Sequence, residues 1–376
     1  MWYGNARIFT PRGWMRGAFE VLDGRFGEIR PGDTCPAGVT DLGGAKVLPG
    51  LVDIHIHGAA GADFSDGDPE GLRRMGRFLA ARGVTSFAPT SMTLPYDALE
   101  KAYAAARALH DRRPRGCARV VGIHMEGPFL SHAKRGAQNP AFLRLPDADA
   151  LERLQAACGG LIRIVDVAPE LPGAADFIRR AARRCRVSLA HTDADYEAAA
   201  VALEAGARHV THLFNAMPPI HHRAPGVIGA ASERADTDAE LICDGQHVHP
   251  SAVRMAFRLF PGRICLISDA LRCCGMPDGD YELGGQTVTL RGGVARLPSG
   301  TIAGAASTLY DGLRNAVAFG IPEEEAIPAA TLRPARAIGA DAEIGSIEPG
   351  KQADFLVCAD DLRLRAVFLG GERVEA

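Results

Sequence analysis

His55 and His57 stand two apart in the run Leu51-Val52-Asp53-Ile54-His55-Ile56-His57, with Pro49-Gly50 before it and Gly58 after it. A short apolar run bounded in this way reads as a buried strand. Strand side chains alternate, so Asp53, His55 and His57 share one face while Val52, Ile54 and Ile56 take the other. Two imidazoles side by side can hold a metal ion. Two hydrogen-bonded core histidines would look the same in an isolated HxH pattern.

The elements that must position this pair tip the balance. Further buried-strand candidates lie at 84–88, 119–126, 162–167, 187–191, 209–212, 240–244 and 264–269, which with the HxH strand makes eight. Alanine-rich helical stretches separate most of them. A helix starts at Asp68-Pro69-Glu70, with Asp68 as N-cap and Leu72, Met75, Phe78 and Leu79 at helical spacing. Strand and helix in alternation imply a parallel sheet with helical crossovers, closed as an α/β (β/α)8 TIM-like barrel over 49–340. Residues 1–48 and 341–376 have the texture of short antiparallel strands, and together they are expected to build one small β-sandwich domain.

Glu126, His191, His212 and Asp269 are each expected at the last residue of a strand, which in such a barrel is the catalytic rim. One charged residue there is ordinarily a turn former or a helix cap. Four residues of metal-binding or acid/base type, joined by the HxH pair, outweigh that explanation. Imidazoles with a carboxylate suit Zn(II), Fe(II), Mn(II) or Co(II) far better than Mg(II) or Ca(II), and leave coordination positions for water. A divalent ion brings the pKa of such a water towards neutrality and polarises a carbonyl. Asp269 would carry the proton from water to leaving group. The implied reaction is hydrolysis of an amide-like bond.

Composition removes several other classes. A chain of 376 residues, 47% hydrophobic, with a formal net charge of −3, has no electrostatic footprint for nucleic acid or an anionic membrane, although a local basic cluster can still hold a phosphate. No apolar run reaches membrane-spanning length, and the first residues lack the pattern of a secretion signal, so a cytoplasmic protein is expected. Nine cysteines without a CxxC pair suggest neither a disulfide framework nor structural zinc, and the adjacent Cys273-Cys274 are expected as reduced thiols in a loop.

Several stretches closely resemble the N-acetylglucosamine-6-phosphate deacetylase family of metal-dependent amidohydrolases. They are the HxH strand, His124-Met125-Glu126-Gly127-Pro128-Phe129, Thr211-His212-Leu213-Phe214-Asn215-Ala216-Met217, Asp244-Gly245-Gln246-His247-Val248-His249, Ser268-Asp269-Ala270 and Gly300-Thr301-Ile302-Ala303-Gly304. The resemblance spans nearly the whole chain. It implies that Glu126, His191 and His212 bind the main metal, that His55 and His57 bind a second with Glu126 as the bridge, and that Asp269 is the catalytic acid/base. Substrate would be held by Ala137, Gln138, Asn215, Ala216, Arg223, His247, Ile302, Ala303 and Gly304. The implied cofactor is one or two divalent ions per subunit, Zn or Fe first, then Mn or Co.

The implied substrate is an amino sugar phosphate, N-acetyl-D-glucosamine 6-phosphate, cleaved to D-glucosamine 6-phosphate and acetate. The alternatives are N-acetylgalactosamine 6-phosphate, another amidohydrolase reaction on N-acyl amino acids or cyclic amides, and a non-catalytic scaffold. Retention of all six metal and acid/base residues argues against the scaffold. The resemblance also implies a homodimer whose composite active site takes Arg223 from the partner subunit. Arg223 lies in a loop rich in prolines and basic residues, which suits an anion clamp. Many relatives have histidine where this chain has Gln138, which keeps a hydrogen-bond donor but loses the chance of positive charge. His124 shares a face with Glu126 and is expected to orient a ligand. His209, three residues before His212, is expected on the opposite face.

Overall fold

The structure, a computed structural model, describes residues 1–32 and 38–375. Parts of the terminal β region at 33–37, with Cys35, and residue 376 therefore lie outside the described residues.

Leu51–Ile56, Val84–Ser91, Ile123–Met125, Ile162–Val167, Arg186–Leu189, His209–Val210, Asp238–Ile242 and Ile264–Ile267 form the parallel barrel, each hydrogen-bonded to the next in chain order up to the last. The last strand meets the first through side chain and loop: Ser268 N–H donates to Oδ1 of Asp53 at 3.2 Å, and Asp269 N–H to the His55 carbonyl at 2.9 Å. Strands buried on both faces are mostly apolar, and Leu51–Ile56 is buried at every position, Asp53 and His55 included. The crossover helices cover the outside. Pro69–Ala80 begins where expected, its N-cap Asp68 accepting from the N–H groups of Glu70 and Gly71, and it buries Leu72, Met75 and Leu79.

Both chain ends enter one separate sheet, which includes Trp2–Thr10, Gly13–Leu22, Arg25–Pro31, Lys46–Pro49, Phe355–Cys358 and Leu364–Leu369. The sheet curls until its distant parts share one aromatic cluster, with Tyr3, Phe19, Phe26 and Phe368 packed around Phe355. Lys46–Pro49 leads straight into the first barrel strand. Gly50, at that junction, sits so close to the next strand that a Cβ would lie 2.1 Å from Oγ1 of Thr85.

One element has no counterpart in the sequence expectation. Gly279–Leu283, Gln286–Arg291, Val294–Arg296 and Ile302–Ala305 form a four-stranded antiparallel sheet inserted after the last barrel strand. Each strand is short and partly exposed, so its apolar period was too weak to separate from loop. Its last strand joins the barrel rim, where Ala305 N–H donates to the Asp269 carbonyl at 2.8 Å.

Candidate active site

The rim residues lie just beyond the strands. Glu126 follows Ile123–Met125 directly, while His191, His212 and Asp269 are two residues past their strand ends, which corrects their expected strand-final placement. The last three adopt left-handed backbone, with φ of 43°, 29° and 51°. Non-glycine residues occupy that region only when surrounding contacts enforce it, and such strain concentrates at functional sites. The sharp turn takes each side chain out of strand alternation and aims it across the barrel mouth.

Six side chains converge there. Oε1 of Glu126 lies 3.0 Å from Nε2 of His191 and 3.0 Å from Nε2 of His212, and the two Nε2 atoms are 3.1 Å apart. Oε2 of Glu126 lies 3.2 Å from Nε2 of His57. Nε2 of His55 is 3.4 Å from Nε2 of His57 and 3.6 Å from Oε1 of Glu126. Oδ1 of Asp269 is 3.3 Å from Nε2 of His57 and 3.5 Å from Nε2 of His55.

The opposite ring nitrogens settle the tautomers. Nδ1 of His191 faces the Lys134 carbonyl at 2.8 Å, and Nδ1 of His57 faces the Thr90 carbonyl at 3.1 Å. A carbonyl only accepts, so each Nδ1 carries the hydrogen and each neutral ring turns a bare Nε2 inward. Bare nitrogens and a carboxylate crowded within hydrogen-bond distance repel one another unless a proton or a cation lies between them. The donor set therefore fits divalent ions, as Glu126 with His191 and His212, and Glu126 with His55 and His57.

Protonated rings fill the same need when no cation is bound. Burial opposes charging His212, but the hydrogen-bonded carboxylate of Glu126 and further charge from Asp269 outweigh it and raise the ring to about 9. His57 is likewise raised well above its ordinary range: burial opposes, and Asp269 and Glu126 prevail. Glu126 and Asp269 are lowered for the reciprocal reason, their surrounding imidazoles overcoming the cost of burial.

A cleft of about 540 Å³ opens over the cluster and is lined by Ala137, Gln138, Asn215, Ala216 and His247, with Ile302, Ala303 and Gly304 on the inserted sheet's side. The structure thus brings together the expected substrate residues with one exception. Arg223 lies in an exposed turn outside this cleft, Nη1 being 2.7 Å from Nε2 of His222. His247 is fixed by a 2.6 Å contact between Nδ1 and Oδ2 of Asp244. Gln138 is buried and does more than face substrate space: Nε2 donates to Oε2 of Glu126 at 2.6 Å, and its carbonyl oxygen accepts from Thr93 N–H at 2.7 Å.

Lys134 and Arg135, absent from the sequence expectation for the site, line the cleft beside Gly136. Their only signal was two adjacent cations in a glycine-bearing loop. Glu240 and Asp166, buried carboxylates beneath the cluster, are likewise absent from that expectation, their signal being an acidic residue inside an apolar strand run. His124, expected to orient a ligand, hydrogen-bonds none of the proposed ones: its Nε2 lies 2.9 Å from Oδ1 of Asp166 and its Nδ1 3.0 Å from the Ile54 carbonyl. The opposite-face placement of His209 is corrected: the chain leaves the strand at Val210, and both the His209 ring and the His212 N–H reach Glu240. Cys273 and Cys274 are both free thiols and buried.

The chain matches the amidohydrolase family over residues 46–374. An N-acetylgalactosamine-6-phosphate deacetylase of Escherichia coli O157:H7 is 36% identical over 371 residues, covering 97% of each chain. An N-acetylglucosamine-6-phosphate deacetylase of Bacillus subtilis is 38% identical over 351 residues, covering 91% of this chain and 88% of its own. Among solved structures, a mutant N-acetyl-D-glucosamine-6-phosphate deacetylase of Mycobacterium smegmatis, in complex with N-acetyl-D-glucosamine-6-phosphate, superposes with a TM-score of 0.94 at 33% identity. It covers 100% of this chain and 99% of that one.

Proposed function

Since the chain belongs to the amidohydrolase family, alongside the N-acetylhexosamine-6-phosphate deacetylases, we propose that it hydrolyses N-acetyl-D-glucosamine 6-phosphate to D-glucosamine 6-phosphate and acetate. The observation that carries this reading is the convergence of Glu126, His191, His212, His55, His57 and Asp269 at the floor of a polar cleft large enough for a sugar phosphate. Glu126, His191 and His212 would hold one divalent ion, and His55 and His57 a second with Glu126 between them. Zn(II) or Fe(II) suits these donors best. A bound divalent ion supplies activated water and polarises the acetamide carbonyl.

The remaining work falls to the chain's own groups. Asp269, lowered and ionised, takes the proton of the attacking water at Oδ1 and returns it to the departing amine. Gln138 holds Glu126 by its second oxygen, at the wall of the space the acetamide would fill. Asn215, Ala216 and His247, which also line the cleft, would hold the phosphate, with Lys134 and Arg135 adding positive charge to its wall. Arg223, exposed and outside its own cleft, suits delivery into the cleft of a partner subunit, which would make the protein a homodimer with a composite site.

The test is acetate release from both 6-phosphate epimers by protein loaded with Zn(II) or Fe(II). Faster turnover of the gluco epimer supports the reading. Preference for the galacto epimer would assign the chain with its E. coli relative, and turnover of non-phosphorylated N-acyl compounds alone would overturn it.

A further inference from the structure

Glu240 lies directly beneath the cluster, on the strand Asp238–Ile242, and is fully buried. A carboxylate so enclosed persists only where donors meet its lone pairs. Oε2 lies 2.8 Å from Nδ1 of His55 and accepts the backbone N–H of His212 at 3.2 Å. Oε1 lies 3.2 Å from Nε2 of His209 and 3.6 Å from Nδ1 of His124.

His55, His124 and Glu240 are close enough together to resemble a third cation site. Their hydrogens argue against one. Nδ1 of His124 faces the Ile54 carbonyl at 3.0 Å, so it carries a hydrogen. Nδ1 of His55 faces only the carboxylate, so it too donates. Neither nitrogen has a lone pair to offer a metal, and Glu240 acts instead on the ring above it. Holding the hydrogen on Nδ1 leaves Nε2 of His55 bare, and that atom points at His57, Glu126 and Asp269.

We infer that Glu240 is a positioning residue: by accepting the Nδ1 hydrogen of His55 it holds the tautomer and ring orientation that form the second metal position, and by accepting the His212 N–H it ties that position to the first. The inference rests on the two-ion reading above. Partners of metal-ligating histidines typically change metal affinity 10- to 100-fold, on the order of what is expected here.

The experiment compares wild type with Glu240→Gln by metal content per chain under graded chelator competition, with thermal unfolding of the metal-free proteins as the check on folding. The amide keeps the size of the carboxylate but loses its charge and one acceptor. Expected is a second ion bound roughly 10-fold more weakly, with the first altered by less than about 2-fold. Unchanged affinity for the second ion, or equal loss of both, overturns the inference. A wild-type protein that never takes up a second ion overturns the two-ion reading instead. Should the variant not fold, long-range 1H–15N spectra of the metal-free wild type decide: a ring hydrogen on Nδ1 of His55 supports the inference, and one on Nε2 overturns it.

Discussion

Asp269 meets two imidazoles at once, and its carboxylate is lowered although burial pushes the other way. As the proposed proton carrier it should be replaceable in shape but not in chemistry. Asp269→Asn is expected to lower kcat by about 10³-fold, within the range general acid–base groups supply, with substrate affinity little changed; acetate release and equilibrium binding read the two effects apart. Gln138 ranks next, because its amide holds the second oxygen of Glu126. Gln138→Ala should cut kcat roughly 10-fold, the lower end for a group that orients a metal ligand, and unchanged kcat and KM would remove Gln138 from the site. Proton linkage gives a third expectation. In the metal-free chain the His212 ring rises from 6.5 to about 9, and His124, where the carboxylates of Asp166 and Glu240 overcome burial, rises to about 9 as well. The folded state therefore holds these protons more tightly than the unfolded one. Their stabilisation is complete below about pH 6.5 and is lost as pH climbs through about 9. Tm of chelated protein should fall across that window, and metal loading should flatten the fall, because His212 must be neutral to bind.

At the scale of elements, the site depends on how strands end. Three of the six cluster residues occupy left-handed backbone immediately after short strands, and a hydrogen bond from the inserted sheet braces one of them, Asp269. Such bracing is what allows strain to persist. Gly50 shows the same economy at the entrance to the first strand, where the sheet of the chain ends hands over to the barrel. Alanine there would place Cβ 2.1 Å from Oγ1 and 2.5 Å from Cγ2 of Thr85. Gly50→Ala is expected to destabilise by about 1–3 kcal/mol, the usual range for overpacking, read as a lower urea midpoint with an unchanged slope. His55 lies on that strand and His57 directly follows it, so second-ion affinity should weaken in the same variant.

At the scale of the whole molecule, the question is whether one chain completes a site. Every proposed substrate residue except Arg223 faces the cleft of its own chain. If a partner's cleft receives Arg223, two inactive variants should rescue each other. Mixed and re-associated Arg223→Ala and Asp269→Asn proteins are expected to regain acetate release, since a mixed dimer holds one site with both residues intact. No recovery in verified mixed dimers would return Arg223 to its own chain or remove it from the site.

Much of this protein could be read from the chain alone, because its strongest signals are local. Continuous apolar runs mark strands buried on both faces, Asp68-Pro69 marks a helix start, and six histidine and acidic residues near strand ends mark a metal hydrolase. Local pattern has no access to contacts between distant segments. Only the tertiary structure decided that His191, His212 and Asp269 turn left-handed just past their strands, that 279–305 folds as a sheet over the cleft, and that Gln138 reaches across to Glu126. The same holds for Glu240. In the sequence it is one acid in an apolar run, and its meaning comes from the barrel's closure, which sets it under His55, 185 residues away along the chain.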